Sequence, residues 1–344
     1  MTVPVALLGA TGAVGQRFVQ LLAGHPEFRL SAVTASPDSV GSTYGDAVDW
    51  HLDTPVPSAI EDLEVRPTDP TAIPDDVTLL FSSLPSSVAA DVEPAFAEAG
   101  YVVSSNSSNE RLADDVPLVI PEVNPEHLGV IDRQRRTREW DGALVKNPNC
   151  STIAMVPTLS ALTSFGLDRV HVATLQAVSG AGYDGVPSMA IIDNVIPHID
   201  GEEAKMEQET TKLLGTRTGD GLHAHDVTVS ASCNRVPTID GHLENVWVTT
   251  DDSLTVEAAR EAFQAAPSID LPSAPDNLIE VATEPDRPQP RLDRLQGDGM
   301  TITVGGIQTT ADGLQYNCLV HNTIRGAAGA SLLNGELLAR EGYL

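Results

Sequence analysis

The sequence predicts an α/β protein in two parts: a parallel sheet covered by helices on both faces, then an α+β part built on a mixed sheet. Three observations carry this. Apolar segments alternate with helical patterns through the first 149 residues. A glycine-rich loop, "GATGAVG", stands at the first strand–helix junction. From residue 150 onward the strand candidates lengthen and alternate apolar with polar, as strands with one exposed face do.

The elements follow in order. "VPVALLG" (3–9) is the first strand, and "TGAVGQRFVQLLAGH" (11–25) sets Val14, Phe18, Val19 and Leu22 on one helical face. "FRLSAVTAS" (28–36) is the next strand, and residues 37–76, rich in Asp, Pro and Ser, read as loop. "VTLLFSSLP" (77–85) and "YVVSSNS" (101–107) flank a helix over 86–98, and "VPLVIPEVN" (116–124) and "GALVKN" (142–147) complete the parallel series. The second part offers "RVHVATLQAV" (169–178), "HDVTVSASCNRVP" (225–237), "HLENVWVTT" (242–250), "TITVGGIQ" (301–308) and "LQYNCLVHN" (314–322). Helices are expected at about 185–215 and 254–266, and the Pro- and Asp-rich stretch 267–298 reads as a long excursion. The last helix, "GAAGASLLNGELLAR" (326–340), carries small residues on one face and can pack closely. No internal repeat is present.

Composition narrows the function. The 344 residues suffice for two domains of ordinary size. Asp and Glu total 48 against 20 Lys and Arg, a formal net charge of −28. These acids are spread along the chain, which argues against nucleic-acid binding, since that needs a basic footprint. A basic protein partner would account for such a surface; adaptation to concentrated salt, where charge repulsion is screened within a few Å, accounts for it better. Lysine occurs only at Lys146, Lys205 and Lys212, so each is expected to have a specific place. No apolar run approaches the ~20 residues of a membrane span. The N-terminus lacks the charged region of a signal peptide. Cys150, Cys233 and Cys318 are too few and scattered for a disulfide framework or zinc cluster. No metal is expected, and a reduced, cytoplasmic setting fits best.

The glycine loop places Gly9, Gly12 and Gly15, with Thr11, Ala13 and Val14, between a strand and a helix. Backbone N–H groups at a helix N-terminus can take a pyrophosphate there, which is the chemistry of a Rossmann-type domain. The plainer reading is a tight turn with no ligand. Cys150, in "NPNCSTI", opens an apolar helical run, where a helix N-terminus favours a thiolate; most unpaired cysteines are nonetheless buried and inert. Gln176 precedes a Gly-rich turn, and Arg235 and His242 flank the turn signal Asp240-Gly241. A hairpin there would bring both to one sheet end, with His242 placed as general base for Cys150. Taken singly, Gln176 reads as a strand residue, Arg235 as a surface ion pair and His242 as a polar turn residue.

Together "GATGAVGQRFVQLL", "PNCSTI", "QAVSGAGY", "EEAKMEQETTK", "RVPTIDGH" and "HNTIRGAAGA" resemble, in order and over nearly the whole chain, the aspartate-β-semialdehyde dehydrogenase family, in its archaeal and fungal branch. The acidic composition adds the expectation of a haloarchaeal member. The resemblance implies a catalytic and dimerisation domain over 150–324, a dinucleotide-binding domain over 1–149 with the C-terminal helix (about 325–344) packed back on it, and a homodimer or homotetramer. It implies interconversion of L-aspartate 4-semialdehyde plus phosphate with L-4-aspartyl phosphate, feeding lysine, threonine and methionine synthesis. Cys150 would be the nucleophile, His242 the proton carrier and Gln176 the group orienting the acyl carbon. Arg235 would take the α-carboxylate, Glu202 the α-ammonium, and Lys205 and Arg111 the phosphate; Glu202 and Lys205 also read as a plain helix salt bridge. Ser179, Gly180, Gly182 and Asn322 would lie beside the cofactor.

Two positions depart from the family pattern. Asp38 and Ser42 stand where a basic residue commonly meets the 2′-phosphate, so Ser36, Ser39 and nearby backbone N–H groups are expected to hold it. NADP is the expected cofactor, and Asp38 leaves NAD open. Gly306 stands where the family carries an arginine. Related acyl reductases acting on malonyl-CoA or N-acetyl-glutamyl phosphate are the nearest alternative; an NADP-binding protein without catalysis is a more distant one, disfavoured by the complete Cys-Gln-Arg-His set.

Overall fold

Short, largely buried strands alternate with helices through the first part, as the apolar runs predict. β1 (Val3–Leu8), β2 (Phe28–Thr34), β3 (Val65–Arg66), β4 (Leu79–Ser82), β5 (Val102–Ser105) and β6 (Ala143–Lys146) form one six-stranded sheet in the order β3-β2-β1-β4-β5-β6. All its pairings are parallel. The computed structural model describes residues 2–182, 184–219 and 221–344. Helix α1 (Ala13–Leu22) covers one face, burying Phe18, Val19 and Leu22 against Phe28 and Phe81. On the other face α2 (Ser86–Glu98) buries Phe96; α3 (Ile131–Arg138) leads into β6.

The last helix, α7 (Gly329–Arg340), also packs on this sheet. Its small residues make the approach possible. A Cβ on Gly335 would come within 2.7 Å of the Phe81 ring, and Ser331 Oγ lies 2.8 Å from Ser104 Oγ. "VPLVIPEVN" does not become a strand: Pro117 and Pro121 remove ladder donors, and only Leu118 bridges to Lys146. Asn124 replaces the missing ladder, accepting from Ile120 N–H and donating to Leu118 C=O.

The second sheet runs β10-β7-β11-β14-β13-β12, from β7 (Leu167–Gln176), β10 (Thr228–Arg235), β11 (His242–Thr250), β12 (Ile279–Val281), β13 (Ile302–Thr309) and β14 (Leu314–Val320). It is mixed: β10–β7 and β12–β13 are parallel, the central pairs antiparallel. One face packs on α4 (Thr152–Leu162), α5 (Glu202–Leu213) and α6 (Val256–Gln264) in a single apolar core. A small hairpin, β8 (Thr216–Thr218) with β9 (Gly221–His223), follows α5. The helix expected over 185–215 is interrupted, with one turn at Ser188–Ile191 and then α5. Pro197 and Gly201, the latter at φ +64°, stop the chain from running through. The excursion 267–298 contributes β12 to the sheet edge.

Gly306 now has a physical reason. The β13–β14 register slips between Gly305 and Gln308, a bulge. Gly306 sits there at φ +60°, where a Cβ would lie 2.8 Å from Asn317 Nδ2. A side chain at this point meets both backbone strain and a clash.

Candidate active site

At the end of β6 the chain turns through Asn149 into α4. Asn149 Oδ1 accepts from the N–H groups of Ser151 (2.9 Å) and Thr152 (3.1 Å), capping the helix. Two acids two turns apart on one face of α5 grip the same residue: Glu209 accepts from Asn149 N–H at 2.7 Å, and Glu202 from Asn149 Nδ2 at 2.8 Å. Neither Asn149 nor Glu209 was singled out from sequence, although Asn before a helix is a recognisable cap. Cys150 is thereby fixed, half-buried, at the end of the second sheet. Gly326, in the "HNTIRGAAGA" segment, packs so closely that a Cβ would be 2.8 Å from Cys150 Cβ.

His242 opens β11 and is fully buried. Its Nε2 lies 3.3 Å from Cys150 Sγ, and its Nδ1 accepts from the Ala177 backbone N–H at 3.1 Å. Arg235, at the end of β10, donates from Nη1 to Ala177 C=O at 2.7 Å. Gly180 lets the turn pass close to both: a Cβ there would fall 2.7 Å from Arg235 Nη1 and 3.1 Å from His242, so a larger residue would displace one of them. Gln176 ends β7 and donates to Glu202 Oε1 at 3.3 Å; Lys205 Nζ lies 3.3 Å from Glu202 Oε2. The expected hairpin does not form: β7 lies between β10 and β11 and pairs with both, and the connection through Asp240-Gly241 crosses the end of β7. Arg235, Gln176 and His242 therefore end or begin three neighbouring strands at one end of the sheet, where Cys150, Glu202 and Lys205 meet them.

Arg111 comes near but is already engaged. It pairs with Glu209 at 2.8 Å and donates to Asn106 C=O at 2.7 Å, with its buried Nε left without a partner. The other two lysines have inside places. Lys212 donates to three backbone carbonyls, of Arg111, Ala113 and Val116, pinning the loop that carries Arg111. Lys146 is sealed against Glu93 beneath the sheet.

The electrostatics correct one expectation. The helix end was expected to favour a thiolate; burial instead pushes the Cys150 thiol up to about 12, Glu202 adding to it, with Arg235 and Arg111 opposing. Burial also pushes His242 down to about 3, reinforced by Arg235. Desolvation of two charges outweighs a helix-terminus effect of typically 0.3–1 kcal/mol. Sequence reasoning also passed over Glu244, two residues past His242 on the same strand face. It is fully buried, its Oε1 has no hydrogen-bond partner, and burial raises its carboxyl well above the usual range.

Two clefts adjoin the glycine loop and α1. Gly9, Thr11, Gly12, Ser36 and Ser83 line one of about 590 Å³, at the β1/β4 reversal where open α/β sheets bind ligands. α1 starts there at Gly12 with no side-chain cap and no acid in its first turn, so its N–H groups suit an anionic diphosphate. Ser36 and Ser39 are 3.4 Å apart at the rim, and Asp38 beside them is exposed. A second cleft, about 310 Å³, runs between Ala13 and Arg17 of α1 and the turn carrying Ser179 and Gly182. Asn322 donates to Ser179 Oγ and accepts from Gly241 N–H, both at 2.8 Å. Tyr183, last residue of the "QAVSGAGY" segment, lies outside the described residues.

Residues 4–131 match the family model described as semialdehyde dehydrogenase, NAD binding domain, and residues 159–325 its dimerisation domain. Aspartate-semialdehyde dehydrogenase of Archaeoglobus fulgidus is 55% identical over 99% of both chains. The chain belongs to the aspartate-semialdehyde dehydrogenase family. Within reach of the same sequence is a malonyl CoA reductase (NADP) of Metallosphaera sedula, 39% identical over 100% of this chain and 98% of that one. The crystal structure of aspartate semialdehyde dehydrogenase with NADP from Candida albicans superposes with a TM-score of 0.91 at 38% identity, covering both chains completely. The first part is therefore a nicotinamide-dinucleotide-binding domain of this family, and the mixed sheet belongs to its dimerisation domain. Among the described residues no helix is long and apolar enough to cross a membrane.

Proposed function

We propose that this protein is a phosphorylating, NADP-dependent aspartate-semialdehyde dehydrogenase, interconverting L-4-aspartyl phosphate with L-aspartate 4-semialdehyde and phosphate through a thioester on Cys150. The observation that carries the reading is the Cys150–His242 contact at 3.3 Å, ringed by one acid and two cations. Cys150 Sγ attacks the acyl carbon. Gln176 orients the acyl oxygen, and backbone N–H groups near Cys150 stabilise its developing charge. Arg235 keeps N–H donors beyond Ala177 for the α-carboxylate, Glu202 takes the α-ammonium, and Lys205, the half-exposed cation at the mouth, takes the phosphate. Arg111 reaches the phosphate by exchanging Glu209 for it. NADP(H), held by the Gly9–Gly15 loop, Ser36, Ser39, Ser179, Gly180, Gly182 and Asn322, supplies or accepts the hydride when bound.

Glu202 separates this reading from the acyl-CoA alternative. A buried acid in the substrate cleft, with Asn149, Gln176 and Lys205 all donating to it, complements a free ammonium and has no counterpart in a malonyl or N-acetylated substrate. The decisive assay compares phosphate-dependent NADP⁺ reduction by aspartate semialdehyde with NADPH oxidation by malonyl-CoA. Faster turnover of malonyl-CoA overturns the assignment.

The exposed Asp38 and the serine pair favour NADP over NAD by a modest margin; a tenfold or greater preference for NAD in kcat/KM would reverse that. The fold divides, on this reading, at 149/150, with the last helix returning to the first domain, and the enzyme works as a cytoplasmic dimer or tetramer in lysine, threonine and methionine synthesis. The net charge of −28 supports a haloarchaeal, salt-adapted origin. A melting temperature equal in dilute buffer and in molar KCl would remove that part.

A further inference from the structure

Three groups hold one another in line toward the reactive sulfur. Arg235 Nη1 donates to Ala177 C=O at 2.7 Å. The Ala177 N–H donates to His242 Nδ1 at 3.1 Å. His242 Nε2 faces Cys150 Sγ at 3.3 Å. A backbone amide has only a proton to offer, so Nδ1 accepts and carries none. A neutral imidazole in that position has its single proton on Nε2, aimed at the sulfur. An imidazolium would need a proton on Nδ1 as well, set against the amide N–H.

We infer that His242 works toward Cys150 as a hydrogen-bond donor through Nε2–H, and that Arg235, by holding Ala177, is the positioning residue that fixes this tautomer. The inference deepens the proposed function and rests on it only for the identity of the nucleophile. The sequence pattern points to a base that strips the thiol; the geometry places a donor there instead. The S–H bond of Cys150 breaks by loss of its proton to solvent on the cysteine's open side, leaving the electron pair on sulfur. Nε2–H then solvates the thiolate, and no thiolate–imidazolium pair forms.

The surroundings agree. The charged and titratable groups facing the pair are Arg235 on β10, Arg111 on the loop after β5, Glu202 at the start of α5, Glu244 on β11 and His321 beyond β14. Burial and Arg235 both disfavour a second proton on His242. The arginines, rather than an imidazolium, supply the positive field for the thiolate.

Two measurements on the full-length protein in molar salt, neither needing turnover or cofactor, test this. In ¹⁵N-histidine spectra, assigned by the signal lost in His242→Gln, His242 should show an unprotonated Nδ1 and a protonated Nε2 from pH 6 to 8. An imidazolium, or a proton on Nδ1, overturns the inference. Iodoacetamide alkylation of Cys150 should climb about tenfold per pH unit from pH 6 to 8.5 without a plateau. In His242→Gln, whose amide can still donate, it should stay within about threefold of wild type at pH 8. A plateau below pH 7 that His242→Gln abolishes is the signature of an ion pair and overturns it. Arg235→Met should mix the two tautomers, and an unchanged spectrum there refutes the positioning role of Arg235. Because Cys150 is alkylated whichever substrate is correct, failure here stays separate from failure of the substrate assignment.

Discussion

Two buried polar clusters lie at the ends of the two sheets, and they are built on opposite rules. At the C-terminal edge of the parallel sheet, Lys146 meets Glu93 with both side chains sealed from solvent, and every donor and acceptor is used. Lys146 also donates to Ser105 and Ser107, while Glu93 accepts from Ser82, Ser105 and Ser107. At the end of the mixed sheet, the Cys150–His242 centre is left short: Glu244 Oε1 and Ser151 Oγ make no hydrogen bond of ordinary geometry, and burial disfavours the charged forms of Cys150, His242 and Glu244. A saturated network is a scaffold, because any change leaves a charge stranded. An unsaturated one retains groups whose ionisation can still respond to a ligand.

The sharpest way to break the comparison is at the sulfur. Cys150→Ser should lower kcat by more than ~10³-fold, because a hydroxyl is far less ionised than a thiol, while NADPH binding measured by fluorescence changes little. Residual turnover near wild type would mean that Cys150 belongs with the inert residues. Cys233→Ala and Cys318→Ala should instead keep activity with some loss of stability.

On the scaffold side the effect moves from rate to stability. Lys146→Met strands Glu93 in the interior and should cost about 3–5 kcal/mol, read as a lower urea midpoint in molar salt. Adding Glu93→Gln should recover much of that. A double variant no more stable than the single one would show that the pair is not the unit that matters.

Arg235→Lys tests a residue that faces both ways. Losing the guanidinium fork should raise the KM for aspartate semialdehyde roughly ten- to a hundredfold, with a smaller drop in kcat as Ala177 loosens. An unchanged KM would remove the carboxylate role.

The smallest expected effect is the most diagnostic of the difference. Glu244→Gln mimics the protonated acid, so activity at neutral pH should stay within about twofold. Its trace appears in pH dependence. A carboxyl whose folded pKa is raised holds a proton that the unfolded chain has released, so stability falls as pH rises above the unfolded value of about 4.3. The Gln variant loses that term, and its urea midpoint should decline less between pH 5 and 8. Parallel pH curves for the two proteins would mean that Glu244 is ionised and paired after all.

How much of this was legible varies with the kind of signal. The strand–loop–helix around Gly9 to Gly15 could be read because its meaning is local: glycine geometry and a helix N-terminus lie within one short segment. The Asp240-Gly241 turn was right about the outcome and wrong about the route: Arg235 and His242 do reach one sheet end, but β7 separates their strands, because a turn signal is local and does not say which strands pair. "VPLVIPEVN" was misread because apolar runs mark burial, not pairing, and its two prolines decide against a ladder. The helix over 185–215 was overextended for a similar reason, since helical patterning continues past residues that cannot sustain the backbone.

The sequence by itself determined the two-part fold, the family, and which residue types would converge, because patterning and motif order are written along the chain. Only the tertiary structure decided their states. Whether Cys150 is a thiolate, whether Arg111 is free, and which nitrogen of His242 carries a proton depend on burial and on partners 60 or more residues away, such as Ala177 for His242 and Glu209 for Asn149. Those are fixed by the field and hydrogen bonds of the folded interior, where desolvation outweighs local sequence preferences.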